Sequence, residues 1–254
     1  MAPISRLAFI AMLFSAAFVN AAPADTASSP THELYKRGVN IITSCTVKGT
    51  VAITFDDGPY LYTSDLLDIL KKKGVKVTFF MNGDNYSKIT SSKYAAVVKR
   101  AYKEGHQIAS HTWDHKDLTT LSKSGITKEM TKLETAFKSI IGVRPTYMRP
   151  PYGSVNSLVL STLSKLGYKI VTWDEDTEDW KHPKNPAASY NLYKKVLTSS
   201  GVKKAGHIFL EHDVNHDTAL VLAPEAIDLA LKKGYKVVPV GTCLGASKSS
   251  WYTK

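Results

Sequence analysis

The chain has 254 residues, of which 43% are hydrophobic, and a formal net charge of +11. This length and apolar content suit one α/β domain with a substantial core, and no later segment reaches the roughly 18 apolar residues of a membrane-spanning helix. The lysines are dispersed over helix ends and turns and form no basic stripe, so the charge does not indicate a nucleic-acid-binding protein.

The N-terminus, residues 1–21, has the pattern of a secretory signal peptide. A basic residue precedes a short apolar run, Leu7 to Phe18, and small residues follow around Ala21. Residues 22–44 are small, polar and weakly periodic, which predicts an N-terminal tail. The folded domain is expected to follow over residues 45–254. We therefore expect a secreted protein of the extracellular space or cell wall, and a monomer.

Two cysteines, Cys45 and Cys243, lie near the two ends of the predicted domain. In an oxidising compartment this placement predicts one disulfide that joins the ends, and two free thiols are the alternative. Asn85 begins the one N-glycosylation sequon of the sequence, Asn85-Tyr86-Ser87. Glycosylation of Asn85 would fit a secreted protein.

Short β-rich runs alternate with amphipathic helical patterns along the domain. The strand-like runs begin near positions 51, 76, 106, 146, 169, 207 and 235. Several helical stretches end in glycine, as at Gly74 and Gly142, which is the usual C-terminal cap. Serial βα alternation predicts a single α/β domain with a distorted or incomplete (β/α) barrel, and a doubly wound open sheet is the alternative.

Two adjacent carboxylates, Asp56 and Asp57, follow the first long strand in the run TFDDGP. Adjacent carboxylates repel each other and need a metal ion or an arginine to stay ionised. His111 and His115 in HTWDH are spaced for one helical face or a tight turn, and one Asp with two His is a ligand set for zinc or a similar divalent metal. Thr112 stands where an HExxH metallopeptidase has Glu, which weakens a peptidase interpretation.

Further unusual polar residues fall at or just beyond the carboxyl ends of other predicted strands, where α/β folds carry their active sites. Arg149 lies in RPPY, whose prolines stiffen the turn and would hold the guanidinium near Asp56, although RPPY alone also fits an ordinary turn. In HIFLEH, period two places His212 on the same strand face as Leu210. Asp179, in an acidic loop, could orient a histidine.

Five ordered motifs resemble those of the polysaccharide deacetylases, carbohydrate esterase family four: TFDDGP, HTWDH, RPPY, DTEDW and IFLEH. The resemblance spans roughly residues 45 to 246 and is strongest to the fungal chitin deacetylases. It implies a distorted (β/α) barrel and removal of N-acetyl groups from N-acetylglucosamine units of chitin or chitooligosaccharides. Peptidoglycan and acetylxylan are the alternative substrates, and a non-catalytic carbohydrate-binding protein is a further alternative.

The resemblance also implies a base and a metal site. Asp56 would be the general base, and Arg149 would orient it. Asp57, His111 and His115 would bind Zn2+, Co2+ or another divalent first-row metal.

The remaining motif residues would bind the substrate and supply a proton. His212 would be the general acid, supported by Asp179, although the resemblance leaves open which acidic residue between 176 and 179 contacts it. The backbone amide of Tyr152 would help to stabilise the oxyanion. Trp180 would line the sugar groove, and Leu210 would border the acetyl methyl group.

Overall fold

The structure is a computed structural model and describes residues 40–199, 201–202 and 205–254. The predicted signal peptide and most of the predicted tail lie outside the described residues. The helices are α1 (Thr63–Lys73), α2 (Ser92–Lys103), α3 (Lys123–Ile141), α4 (Ser157–Lys165), α5 (Pro186–Ser199), α6 (Ala223–Lys232) and α7 (Val240–Cys243). The strands are β1 (Ile41–Ile42), β2 (Thr50–Asp56), β3 (Thr78–Met81), β4 (Gln107–Ser110), β5 (Arg144–Pro145), β6 (Tyr147–Met148), β7 (Lys169–Val171), β8 (Glu175–Asp176), β9 (His207–His212), β10 (Lys236–Val237) and β11 (Tyr252–Thr253).

Nine strands form one parallel sheet in the order β1-β7-β6-β4-β3-β2-β9-β8, with β10 paired to the start of β2. The chain passes from β7, near one end of this order, to β8 at the other end through residues 172–174 alone. So short a connection requires the sheet to curl round on itself. The distorted (β/α) barrel expected from the sequence is therefore confirmed, and all seven predicted strands are present.

The structure also contains elements that the sequence patterns did not predict. Strand β1 lies within the predicted tail and pairs with β7, so the sheet begins before Cys45. Strand β8 has two residues and β5 pairs with β11 in a separate two-stranded sheet. Helix α5 was not predicted. Its buried side chains are polar or aromatic as well as aliphatic, so the segment shows no clear apolar periodicity.

Alternation along β2 divides its side chains between two cores. Ile53 and Phe55 belong to the large core between the sheet and the helices, whereas Ala52 belongs to the core inside the barrel. By the same period of two, Asp56 faces the barrel interior at its mouth. The strand register aligns Asp56 with His212 on β9, so both side chains reach the same edge.

The disulfide predicted from the sequence joins Cys45 to Cys243 and closes the opposite end of the barrel, with a sequence separation of 198 residues. The backbone amides of Thr46 and Val47 both donate to the carbonyl oxygen of Cys243. None of the helices in the described part of the chain is long and apolar enough to cross a membrane.

Candidate active site

An open cleft of about 650 Å³ lies at the carboxyl edge of the sheet. Eight of the residues expected at the site line it: Asp56, Asp57, His111, His115, Tyr152, Trp180, Leu210 and His212. Arg149 and Asp179 are buried directly behind this wall and bond to residues that line it. The fold therefore brings together all ten residues that the sequence analysis expected at the site.

Arg149 holds Asp56 from inside the barrel. Its Nη1 donates to Asp56 Oδ1 and to Thr54 Oγ1, each at 2.7 Å, and its Nη2 donates to the carbonyl oxygen of Thr172 at 2.8 Å. The guanidinium lies 4.1 Å from the centre of the Phe80 ring and is fully buried. The hydrogen bond fixes one Asp56 oxygen and lowers the pKa of the carboxyl group, but burial has the larger effect and raises that pKa above its ordinary value.

Asp57, His111 and His115, called the ligand set below, bring three potential metal ligands together. One ligand atom from each lies within 4.8 Å of the others. His115 Nε2 is 3.3 Å from Asp57 Oδ1, and His111 Nε2 is 3.8 Å from the same oxygen. The i, i+4 histidines lie in a tight turn after β4 and not on a helix.

The tautomer of His111 is fixed by its environment. Its Nδ1 lies 2.7 Å from the carbonyl oxygen of Arg149, and a carbonyl only accepts, so Nδ1 carries the proton. The Nε2 lone pair is then directed at the ligand set. A hydrogen bond of this kind on the far ring nitrogen is typical of metal-binding histidines.

Left-handed backbone conformations position several of these residues. Asp57 has φ 75°, His115 has φ 53° and Tyr152 has φ 60°. Such values are uncommon outside glycine and concentrate at functional sites, where the surrounding packing stabilises them. After Asp57 the chain needs Gly58, because a Cβ there would lie 2.5 Å from an oxygen of the buried Asp213.

Burial disfavours charge throughout the ligand set. It raises the pKa of Asp57 to about 6 and lowers the pKa of His111 to about 3 and of His115 to about 4. The histidines are therefore neutral and offer lone pairs, and they cannot balance the Asp57 charge. A divalent cation would supply the missing positive charge, so this donor set fits a metal ion.

A second group of potential ligands in the described residues lies at the other end of β9. It consists of Asp174, Glu175 and His207. His207 Nδ1 is already bonded to Asp174 at 2.8 Å, and Asp174 also accepts from the backbone amide of Ile208. Two of its members already bond each other, and the group does not line the cleft, so we assign the candidate metal site to the ligand set.

His212 and Asp179 form a closed pair on the other side of the cleft. His212 Nδ1 lies 2.8 Å from Asp179 Oδ1, and the His212 backbone amide donates to the other Asp179 oxygen at 2.8 Å. Thr218 Oγ1 also donates to Asp179. Burial lowers the pKa of His212, but the charge and hydrogen bond of Asp179 outweigh it and raise that pKa to about 9. The acidic partner of His212 is thus Asp179, and Arg149 hydrogen-bonds Asp56 and not Asp176.

The outer wall of the cleft presents aromatic and apolar surface. Trp180 is 52% exposed and Tyr152 is 68% exposed, whereas Leu210 is buried at the floor. The rings of Tyr152 and His115 meet edge to face, with centroids 4.8 Å apart. Exposed rings beside polar groups suit a sugar, which has apolar faces and a polar rim.

The cleft also contains residues that the motifs did not identify. They are Asn85, Tyr86, Trp173, Val214 and Asn215, and Asp176 of the DTEDW motif also lines the cleft. Asn85, the predicted glycosylation site, has its Nδ2 3.3 Å from Asp57 Oδ1. Each of these residues follows or ends a strand at the carboxyl edge, and that position is the sequence signal that could have identified them.

The family model for polysaccharide deacetylases matches residues 43–171 of the chain. A chitin deacetylase of Pestalotiopsis sp is 50% identical over 84% of this chain and 69% of that protein. A chitin deacetylase of Colletotrichum lindemuthianum is 38% identical over 94% of this chain and 97% of that protein. The chain belongs to the polysaccharide deacetylase family. It is therefore a carbohydrate esterase of a metal-dependent family.

Solved structures agree with this family. The structure of the chitin deacetylase from Colletotrichum lindemuthianum superposes with a TM-score of 0.81 at 39% identity, covering 85% of this chain and 96% of that one. Among the other relatives, a probable peptidoglycan-N-acetylglucosamine deacetylase of Arthroderma benhamiae is 46% identical. This polysaccharide deacetylase spans 48% of the length of that relative.

Proposed function

We propose that this protein is a secreted, metal-dependent deacetylase that removes N-acetyl groups from N-acetylglucosamine units of chitin or chitooligosaccharides and releases acetate. The main support is that three parts meet in one cleft. They are the carboxylate of Asp56 bound by Arg149, the ligand set, and His212 bonded to Asp179. Amide hydrolysis near neutral pH needs these three parts, because the carbonyl is a poor electrophile and the amine is a poor leaving group.

The ligand set would hold zinc, cobalt or another divalent first-row metal. When bound, such a metal polarises the acetyl carbonyl and lowers the pKa of a water molecule. The protein supplies the remaining chemistry. Burial keeps the two imidazoles neutral, and the fold brings their ligand atoms close to that of Asp57.

Asp56 is the proposed general base. Arg149 Nη1 binds its Oδ1, while its Oδ2 faces the ligand set, 3.6 Å from His111 Nε2. The free oxygen can therefore accept a proton from the attacking water, and the bound oxygen keeps the carboxylate in position. The backbone amide of Tyr152 is the proposed donor to the developing oxyanion.

His212 is the proposed general acid. The register of β2 and β9 places it beside Asp56, on strands about 4.8 Å apart. Its Nδ1 is bonded to Asp179, so Nε2 is the atom that delivers a proton to the departing nitrogen. A pKa near 9 keeps His212 protonated until that step.

Trp180 and Leu210 are the proposed substrate contacts. The exposed indole offers a flat face to a sugar ring. Leu210 lies on the same strand face as His212, two residues before it, and gives the acetyl methyl group an apolar neighbour.

Peptidoglycan is the second candidate substrate, because a relative that is 46% identical carries the name probable peptidoglycan-N-acetylglucosamine deacetylase. Acetylxylan would use the same machinery on an ester. A catalytically silent carbohydrate-binding protein is the alternative outside the enzyme class. The proposed localisation outside the cell rests on residues beyond those described, and N-terminal sequencing of the secreted protein tests it.

The deciding experiment measures acetate release by purified mature protein from chitin oligomers, peptidoglycan and acetylated xylan. The protein is stripped of metal and then reloaded with zinc or cobalt. We expect release from chitin oligomers that disappears on stripping and returns on reloading. Faster release from another polymer would reassign the substrate, and oligomer binding without any acetate would support the binding protein.

A further inference from the structure

The sequon is built into the wall of the cleft. Asn85 lies in the segment that follows β3, and its Nδ2 donates to Asp57 Oδ1 at 3.3 Å and to Asn82 Oδ1 at 3.2 Å. Both hydrogens of the carboxamide therefore have acceptors at the edge of the candidate metal site. Asn85 is exposed to solvent, and it lines the cleft.

The same segment is attached to the turn that carries the first metal ligand. The backbone amide of Asn82 donates to the carbonyl oxygen of Gly58 at 2.9 Å. The hydroxyl of Ser87, the third sequon residue, donates to the carbonyl oxygen of Pro59. The two ends of the sequon thus bind the turn of residues 57–59, so folding converts the sequon into part of the site.

N-glycosylation would replace one of these contacts with a sugar. Asn85 Nδ2 would form a bond to the anomeric carbon of a lipid-diphosphate-linked oligosaccharide, lose one proton, and displace the lipid diphosphate. A C–N single bond is about 1.45 Å long, so the first sugar would begin within bonding distance of an atom already beside Asp57. The glycan would stand where the substrate enters.

We infer that glycosylation of Asn85 and activity of this cleft exclude each other. The sequon is accessible before the chain folds, and a glycan attached then yields a secreted protein whose site is blocked. The active protein carries Asn85 unmodified, as a wall residue that contacts Asp57. The inference rests on the proposed deacetylase function.

The test uses two variants of Ser87 secreted from a glycosylating yeast. Ser87→Thr keeps the hydroxyl and makes the more efficient acceptor sequence Asn-X-Thr, whereas Ser87→Ala removes the sequon. Lectin affinity separates glycosylated from unglycosylated protein, and intact mass gives the occupancy. Acetate release from chitin oligomers, oligomer binding by tryptophan fluorescence and bound zinc are measured on each fraction.

We expect the glycosylated Ser87→Thr fraction to release acetate slower by about two orders of magnitude than the unglycosylated fraction of the same preparation, and to lose oligomer binding. Equal activity in the two fractions would overturn the inference. So would a Ser87→Thr protein that leaves the cell entirely without a glycan, because the sequon would then not be available before folding.

A displaced glycan provides the matched control. Ser122 caps α3 by accepting from the Gly125 amide, and asparagine is an equally good cap. In a Ser87→Ala/Ser122→Asn protein the sequence Asn-Lys-Ser places a glycan outside the residues that line the cleft. Its glycosylated form should match Ser87→Ala in every assay. If no fraction releases acetate, the proposed function fails, and the oligomer-binding comparison still tests whether the glycan blocks the cleft.

Discussion

The two sides of the cleft differ in how burial affects the charge of their ionisable side chains. On the side of β2 and β4, burial drives the ligand set toward neutral forms, and neither His111 nor His115 carries a charge that could balance Asp57. On the side of β9, His212 carries its own carboxylate, and its pKa is raised to about 9. One side is thus built to receive a positive charge from outside, and the other is built to keep a proton.

Removal of one ligand should have the largest effect. His111→Ala deletes a buried neutral imidazole from the ligand set, so we expect loss of bound metal and no measurable acetate release. Metal content by mass spectrometry and acetate release measure both results. His182→Ala, at an exposed histidine away from the set, should keep both. A fully metallated His111→Ala protein would refute the ligand assignment.

Neutralising the proposed base should separate chemistry from metal binding. Asp56→Asn keeps an oxygen for Arg149 but cannot accept a proton from water, so we expect turnover to fall by about 1000-fold or more while metal stays bound. Steady-state kinetics and metal analysis on one preparation give the two values. Substantial remaining turnover in a metallated protein would remove Asp56 from the role of base.

On the side of β9, the carboxylate that keeps His212 protonated can be removed. Asp179→Asn removes the carboxylate that raises the pKa of His212, so the alkaline fall in activity should move from about pH 9 toward lower pH, with turnover reduced by about 100-fold at neutral pH. The measurements are a pH–rate profile and an NMR titration of His212. Glu178→Gln, at an exposed carboxylate paired with Lys181, should leave the profile unchanged.

The same pair has a thermodynamic consequence with a definite sign. The folded-state pKa of His212 lies above the ordinary value of 6.5, so its contribution to the free energy of unfolding is complete below about pH 6.5 and is lost as pH rises through about 9. Denaturant titrations across this range should show the loss in the wild type and a smaller loss in Asp179→Asn. An identical pH dependence in both proteins would argue against the charge pair.

The smallest effect on catalysis should come from the opposite end of the barrel. A Cys45→Ser/Cys243→Ser protein loses a link across 198 residues, which should lower the free energy of unfolding by about 2–5 kcal/mol. Because the cleft is assembled at the other edge, turnover per folded molecule at 25 °C should stay unchanged. Urea denaturation and kinetics measure these two quantities, and a fall in turnover without unfolding would show that the two ends are coupled.

Strand periodicity and strand-end chemistry predicted most of this architecture. The long runs around Ile53 and Phe209 gave clear strands, and the polar residues after them identified the site. Strands β1 and β8 have only two residues each, too few for any periodicity, and they exist because neighbouring strands provide their hydrogen bonds. Such elements follow from the assembled sheet and cannot be read from local sequence.

Which residues contact each other within the site also could not be predicted from local sequence. Asp176 and Asp179 are close in sequence, and only the path of the loop after β8 decides that Asp179 bonds His212. Asn85 matched a local modification pattern, yet its contact with Asp57 depends on two segments that are distant along the chain. Local motifs therefore identify residue types, while partners are determined by the fold.

The register between β2 and β9 has a consequence for protein engineering. Asp56 and His212 are opposite each other in a ladder of main-chain hydrogen bonds, so their separation is determined by the backbone and not by the surrounding loops. The exposed side chains of Tyr86 and Trp180 can then be substituted to accept other acetylated polymers while the distance between proton acceptor and proton donor is preserved.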